Sequence, residues 1–504
     1  MTSDISSEIQ GAGPQDPPDA GRGGVRGGVR SPWATFWVLA LIEFITVLDT
    51  SIVNVALPSI QHDLGFSATG LAWVVDAFLL AYAGSLLLAG RATDFVGRRR
   101  LFVTGVAVFT LASLLCAAAT EDWHLVTGRV VQGLGAAMVV PAALALITDI
   151  FPEGAERNKA IGIFSGMGGF AAAAGVLFGG LLTAAAWQWA FLINVPIGLG
   201  VFIASFRMLP RTHQQASGGI DVTGALSLSL GLVVLIYAVI RGQVQGWGSA
   251  ATLAQFAAAV VLLGVFVIRQ RTAEDPLVPR MLLARRNIVV GNAAIAIVGA
   301  LMFATFFVIT LYMQKVRGYG PLLTGLTYLP IPIATFTGTQ LAPRLLRFGP
   351  HNSMAIGLLL QAAGLAWWAA LIGGDAQLVT GFLAPTVVWG LGVGIAIVSA
   401  FVTCTMGLDG PIAGAASGLA TMSQQVGGAV GLALLAALAE SHTHTLLGRS
   451  PAPAAEEALA AGYGWALWVA VALAVAGVLL TRLLNFGPPP QQADQGAAQE
   501  GSAA

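Results

Sequence analysis

Charge is scarce in this sequence. Asp, Glu, Lys and Arg together make up 10% of its 504 residues, against about 25% in soluble globular domains. With a hydrophobic share of 56% and a mean hydropathy of +0.79, the composition excludes an ordinary soluble domain and points to a polytopic membrane protein. Cysteine is nearly absent: Cys116 and Cys404 each lie in an apolar stretch, which excludes a disulfide framework and a cysteine metal site. Lysine is as rare, and neither Lys159 nor Lys315 follows a Gly-x-x-x-x-Gly pattern, so the chain is not a P-loop ATP-driven pump by itself. The sequence also lacks a nucleophile paired with a base, a metal cluster, a selectivity filter and rings of like charge. An enzyme and a channel are therefore not expected, and neither is a cofactor or a metal. His442 and His444, placed by the hydropathy pattern in a loop, read as solvated residues.

Long apolar runs are what the chain does have. Crossing a hydrocarbon core of about 30 Å takes about 20 apolar residues. Fourteen such windows centre near residues 45, 80, 109, 135, 172, 199, 231, 259, 299, 331, 362, 391, 425 and 473. With the N-terminus inside, the inner segments hold 19 of the 24 basic residues and the outer loops four (Arg241, Lys315, Arg317 and Arg449), while Arg129 falls within a span. That bias places both termini in the cytoplasm of a protein of the cell, or inner, membrane. Residues 1–32 and 487–504 are polar, rich in Gly, Pro or Gln, and are expected to be disordered tails. The GRGGVRGGVR stretch lacks interleaved aromatics, so contact with anionic headgroups is expected and nucleic acid is not.

The stretch GRATDFVGRRR, residues 90–100, closes the second span on the inner side. Gly90 and Gly97 read as sites of close backbone approach and a tight turn, with Asp94 as acceptor and Arg98 as donor. Positive-inside anchoring explains the arginines but not the glycines and aspartate at fixed offsets. The stretch resembles the loop between the second and third helices of the major facilitator superfamily. LDTSIVNVALP (48–58) is similar to the first-helix motif of its fourteen-helix drug:proton antiporter branch, and LVTGRVVQGLGAAMVVPAALALI (125–147) to the fourth-helix motif, with Arg129, Gln132 and Gly133 in place. WQWAFLINVPIG (187–198) and GAASGLATMSQQVGGAVG (414–431) extend the likeness to the sixth and penultimate helices. In the fifth-helix motif, GVLFGG keeps Gly175, Gly179 and Gly180 for close packing but has Val176 where the family has Pro, and Gln188 stands where it usually has Arg. PRLLRFGP (343–350) occupies the signature loop's place in the second half with Leu346 for its acid and Pro350 for its arginine, so the inner lock is expected to be asymmetric.

The resemblance implies an all-α integral membrane protein of fourteen transmembrane helices: a six-helix bundle over 33–209, two inserted helices over 210–270 and a second six-helix bundle over 271–486. It further implies alternating access and multidrug efflux of hydrophobic, often cationic, small molecules against protons, the basis of antibiotic resistance. A monomer in lipid is expected. Export of a single endogenous metabolite, or sensing without flux, are the alternatives.

Asp49 lies inside an apolar span, where a charge costs roughly 2.5–3.5 kcal/mol on insertion scales. At 100° per residue the first helix carries Glu43, Thr46, Thr50 and Asn54 along one stripe, with Asp49 beside it. At 1.5 Å per residue, Glu43 lies ~14 Å from the inner end and Asp49 ~22 Å, while Arg129 and Asp76, entering from outside, reach the depth of Asp49. Depth matching thus predicts one proton-coupling cluster of Asp49, Asp76 and Arg129, with a static ion pair as the bland alternative. Glu43 is expected near the midplane as a second proton site or a partner for a cation. Phe306, Phe307 and Gln314 are candidates to line an adaptable substrate pocket.

Overall fold

A computed structural model describes residues 31–67, 70–152, 155–210, 221–372, 379–408, 410–449 and 453–484. Both expected tails lie outside these residues, apart from the stretch just before the first helix. Among the described residues no strand occurs. This follows from the solvent: hydrocarbon offers no hydrogen bonds, so an isolated apolar segment satisfies its own backbone only as a helix.

The first half contains α1 (Pro32–Leu64), α2 (Trp73–Val96), α3 (Arg98–Ala117), α4 (Asp122–Ile150), α5 (Ala155–Ala185), the one-turn α6 (Trp189–Leu192) and α7 (Asn194–Met208). Then come α8 (Val222–Gln245), α9 (Ala250–Thr272) and the short α10 (Arg280–Ala284). The second half contains α11 (Arg286–Leu311), α12 (Pro321–Tyr328), α13 (Pro330–Leu346), α14 (Pro350–Leu371), α15 (Ala384–Thr405), α16 (Gly410–Leu447) and α17 (Ala455–Thr481). The fourteen apolar centres fall one each in α1–α5, α7–α9, α11 and α13–α17. By length and apolarity alone, eleven helical segments of the described residues suffice to cross a membrane, and shorter apolar stretches occupy Gly70–Leu86 and Phe170–Ala185. One rod is broken: α12 stops where Pro330 and Pro332, which have no N–H to donate, start α13. His442 and His444 correct the loop expectation, because α16 continues as helix to Leu447. There His442 stacks on Trp465 and His444 faces Glu440 at 2.9 Å.

Helices α1 to α7 pack mainly on one another, as do α11 and α13 to α17, while α12 packs mainly on α5. The α8–α9 hairpin leans on α2 and α16 through α8. Helix α9 turns Leu253, Val260, Val261 and Ile268 outward, as a lipid-facing helix must. The two halves meet where α2 packs on α16, α5 on α12 and α1 on α11.

Lipid tails are as apolar as leucine, so burial alone does not drive helices together, and close van der Waals contact takes over. The α11–α16 pair shows this. A Cβ added at Gly299 would lie 2.0 Å from the Gln424 carbonyl oxygen, and one at Gly427 2.0 Å from that of Ala296. Ser423 donates to Asn292 across the same seam at 2.9 Å. Replacing Gly427 with Val should force the helices apart at about 1–3 kcal/mol and lower the melting temperature in detergent. Gly264→Ala on α9, where an added Cβ meets nothing within 4 Å, should leave it unchanged or raised.

Candidate functional site

The carboxylate of Asp49 has no exposed surface, and neither has the guanidinium of Arg129. The two are hydrogen-bonded to each other through Arg129 Nη1 and Asp49 Oδ2. Gln132 Nε2 donates to Asp49 Oδ1 at 2.8 Å and Asn194 Nδ2 to the same oxygen at 2.7 Å. Arg129 also donates from Nε to the Val74 carbonyl (2.8 Å) and from Nη1 to Gln132 Oε1 (2.7 Å), and its plane lies over the Phe78 ring, 4.4 Å from the centroid. Gln132 Nε2 lies 2.9 Å from Ser113 Oγ as well. Five helices (α1, α2, α3, α4 and α7) therefore meet at one charge pair. Arg129 and Gln132 reach it together because residues three apart lie on one helix face.

Depth matching placed Asp76 in this cluster, and the structure corrects that. Asp76 is fully buried, and neither of its oxygens has a hydrogen-bond partner among the described residues. The reason is rotational: Phe78, which faces Arg129, is two residues on, about 200° around α2. Asp76 thus points away from α4 at a matching depth. Two residues missing from the expected cluster complete it instead. Gln132, a residue of the fourth-helix motif, binds the carboxylate, and so does Asn194, an amide within the apolar run FLINVPIG.

Glu43 is partly buried on another face of α1, and its Oε2 has no hydrogen-bond partner among the described residues. A Cβ at Gly168 of α5 would stand 3.9 Å from its Oε1. The remaining polar stripe of α1 bonds to its own helix: Thr46 to the Ile42 carbonyl, Thr50 to Val47 and Asn54 to Thr50.

At the far end of α2, Gly97 supplies the tight turn with φ of +91°, a conformation disfavoured for any residue with a Cβ. Gly90 differs from expectation: an added Cβ would meet nothing within 4 Å, so no close approach depends on it. Arg98 pairs with Asp149 of α4 and donates to the Ala145 carbonyl at 3.3 Å. Asp149 belongs to none of the sequence motifs, although it is an acid at the same end of the neighbouring helix. The side chain of Asp94 lies outside the described residues.

The three glycines of α5 all stand at crossings. Gly175 backs onto the Leu48 carbonyl and Gly179 onto Ile52 of α1, while a Cβ at Gly180 would meet the Pro321 carbonyl oxygen at 2.9 Å across the seam between halves. Gly133 approaches the Phe78 carbonyl of α2 in the same way, at 2.5 Å from an added Cβ. Helix α5 runs unbroken through Val176. Phe307 is 2% exposed and belongs to the apolar core, so it lines no open pocket. Phe306 packs edge-on against Tyr328 and Trp389. Gln314 donates to the Val55 carbonyl of α1 at 3.0 Å, a second tie between the halves.

Removing one partner of a buried ion pair strands the other charge, at about 3–5 kcal/mol. Arg129→Met should therefore sharply lower folded yield and melting temperature, and adding Asp49→Asn to it should recover part of the loss. A double variant no better than the single one would deny the coupling.

A profile described as Major Facilitator Superfamily matches residues 39–432. The puromycin resistance protein pur8 of Streptomyces alboniger is 38% identical over 467 residues, covering 90% of each chain. The cephamycin export protein CmcT of Amycolatopsis lactamdurans is 37% identical, covering 89% of this chain and 92% of its own. Among solved structures, a bacterial homologue of the human lysosomal transporter Spinster, inward-facing and unoccupied, matches with a TM-score of 0.65 at 17% identity, over 92% of this chain and 100% of that one. Matched along most of its length by the family profile and by relatives of more than 30% identity, the chain belongs to the major facilitator superfamily.

Proposed function

We propose that this transporter expels hydrophobic, often cationic, drugs or similar small molecules across the cell membrane in exchange for protons. The observation that carries the reading is the pairing of a sealed charge network at Asp49 with two further carboxylates: Asp76, fully buried with neither oxygen partnered among the described residues, and Glu43, whose Oε2 is buried without a partner among them. Relatives named for puromycin resistance and cephamycin export support the direction and the substrate class. The architecture that goes with it has fourteen spans: one bundle over 33–209, an inserted pair over 210–270 and a second bundle over 271–486. Both termini are cytoplasmic, as the 19-to-four distribution of basic residues favours. The protein works as a monomer in lipid.

Coupling follows from what each acid can hold. Asp76, four residues into α2 from its outer end, can gain a proton without breaking any hydrogen bond. Asp49 cannot, because its oxygens accept from Arg129, Gln132 and Asn194. A proton arriving from outside is taken first by Asp76, next to the seam between bundles, and biases their rocking. The Asp49–Arg129 pair keeps α1, α2, α4 and α7 moving as one body. Glu43 holds either a cationic group of the substrate or a proton, never both, and this exclusion makes the exchange obligatory. Opening outward breaks the Gln314–Val55 bond and separates Gly180 from α12. Opening inward is governed by the loop with Gly90, Asp94, Gly97 and Arg98.

In proteoliposomes with a fixed proton gradient and a pH dye inside, several unrelated lipophilic cations should each trigger proton flux. Asp76→Asn should reduce that flux at least tenfold, on the order of a coupling-site loss, while leaving substrate-for-substrate exchange intact. Glu43→Gln should weaken cations and spare neutral compounds. Flux equal to wild type in Asp76→Asn would remove Asp76 from the proton path. Gln314→Leu deletes one hydrogen bond of about 1 kcal/mol and should shift the population toward the outward-open state about fivefold, read as faster labelling from outside of a cysteine placed at Thr324, buried on α12 beside the Gly325 contact with α5.

A further inference from the structure

Helices α2 and α13 end in the same turn. Gly97 opens α3 with φ of +91° and Gly349 opens α14 with φ of +94°, and the carbonyl of each accepts from the amide four residues on, Leu101 at 3.0 Å and Ser353 at 3.1 Å. A residue with a Cβ adopts such a φ only under strain, so glycine marks the turn in both halves. Around it the halves differ. In the first, Arg98 follows the glycine and pairs with Asp149 of α4. In the second, Pro350 follows, and α15, which packs on α13 and α14 as α4 packs on α2 and α3, carries no Asp or Glu. The arginines here come before the turn, Arg344 and Arg347, and neither has an ion pair among the described residues.

Both arginines are exposed and turn away from the packed side of α13. Ile331, Ala334, Gly338 and Ala342 are buried, and a Cβ added at Gly338 would lie 2.4 Å from the Leu391 carbonyl oxygen, so this row faces α15. Arg344 and Arg347 lie about 120–180° around the helix from it and about 60° from each other. On that outer side Ile333 is 69% exposed, Phe336 60% and Phe348 54%, and the Arg347 guanidinium stands 4.6 Å from the centroid of the Phe348 ring. One strip of surface thus runs from apolar to cationic over about 20 Å. No Asp or Glu stands between Asp275 and Asp375 in the sequence. Asp375 and Asp409 lie outside the described residues: the first follows the far end of α14, about 30 Å from the turn, and the second follows α15, on the side of α13 that the arginines turn away from.

We propose that this end of α13 is a docking site for the headgroup of an anionic phospholipid such as phosphatidylglycerol. The phosphate takes the part that Asp149 has in the first half: it accepts from Arg344 and Arg347, which stand one turn apart and offer paired N–H groups of the geometry a phosphate fits. Phe348 stands at headgroup level, where aromatic side chains settle, and one acyl chain covers Ile333 and Phe336. That apolar strip favours a lipid over free phosphate. A zwitterionic lipid brings its own cation beside the phosphate and gains less from two arginines. Positive-inside bias asks only for net charge near the surface, not for two arginines on one helix face continuous with an exposed aromatic and an apolar strip. With both termini cytoplasmic, the lipid comes from the inner leaflet.

The test titrates full-length protein in a neutral detergent with fluorescent phosphatidylglycerol and, separately, fluorescent phosphatidylcholine, with melting temperature as the folding control. The wild type should bind phosphatidylglycerol at least about tenfold more tightly, and Arg344→Gln and Arg347→Gln should each remove about fivefold of that preference. Arg286→Gln, which alters an exposed arginine at the same end of the molecule, and Asp409→Asn should leave it within about twofold. Where Arg347→Gln loses folded protein along with its ring contact, Arg344→Gln decides. Equal binding of the two lipids, or an equal loss in Arg286→Gln, would overturn the site by leaving only diffuse surface attraction. Displacement of the lipid by inorganic phosphate would give the arginines to a free anion, and tighter lipid binding in Asp409→Asn would show them already paired within the chain; either result also overturns it.

Discussion

Arg129 carries a permanent charge in a place with no access to water, and much of the first half is arranged to make that tolerable. A guanidinium in a low-dielectric interior needs a counter-charge and partners for its N–H groups, and here Nε and Nη1 have them while Nη2 has none among the described residues. Asp49 supplies the charge, Val74 and Gln132 supply oxygens, and Phe78 supplies a ring face. Asn194 and Gln132 then satisfy the Asp49 oxygen that Arg129 does not reach. Each partner comes from a different place in the chain, so the pair also fixes how those helices are rotated against one another. The positions of the free acids follow from that rotation.

Where charge does not organise the helices, glycine does. The α11–α16 seam and the α1–α5 crossing both bring backbone against backbone at distances no Cβ would allow. Such seams are dense and inextensible. Between the halves, α2 packs on α16, α5 on α12 and α1 on α11; Gln314 donates to the Val55 carbonyl there, and Gly180 and Gly325 bring α5 and α12 close together.

The loop after α2 shows how a motif's geometry is shared unequally among its residues. Gly97 is required by its positive φ. Arg98 finds its acid on α4, and the neighbouring Arg99 donates to the Phe206 carbonyl of α7 at 2.8 Å. Arg91 reaches the Pro276 carbonyl in the segment beyond α9 at 3.1 Å, joining the loop to the chain that leads into the second half. Basic residues at this end thus tie helix ends and loop carbonyls together, and electrostatic anchoring to the membrane surface accompanies that role.

The sequence by itself determined the class of structure, the places of the helices, the burial of Asp49 and the presence of a matching arginine, because apolar length and the cost of a charge in hydrocarbon are properties of each segment alone. It also located the glycines of α5, since small residues in an apolar run have few other uses. It misplaced Asp76, because residue counting yields depth but leaves azimuth open until neighbouring helices have chosen a face. Gln132, Asn194 and Asp149 acquired their roles only in the folded chain. Asn194 stands 145 residues from Asp49 and Asp149 51 from Arg98, and nothing in either local segment says which distant atom it will meet. The indole nitrogens of Trp368 and Trp389, buried without a partner among the described residues, were equally silent. A tryptophan in a span reads as ordinary core until packing shows that its N–H has nowhere to go.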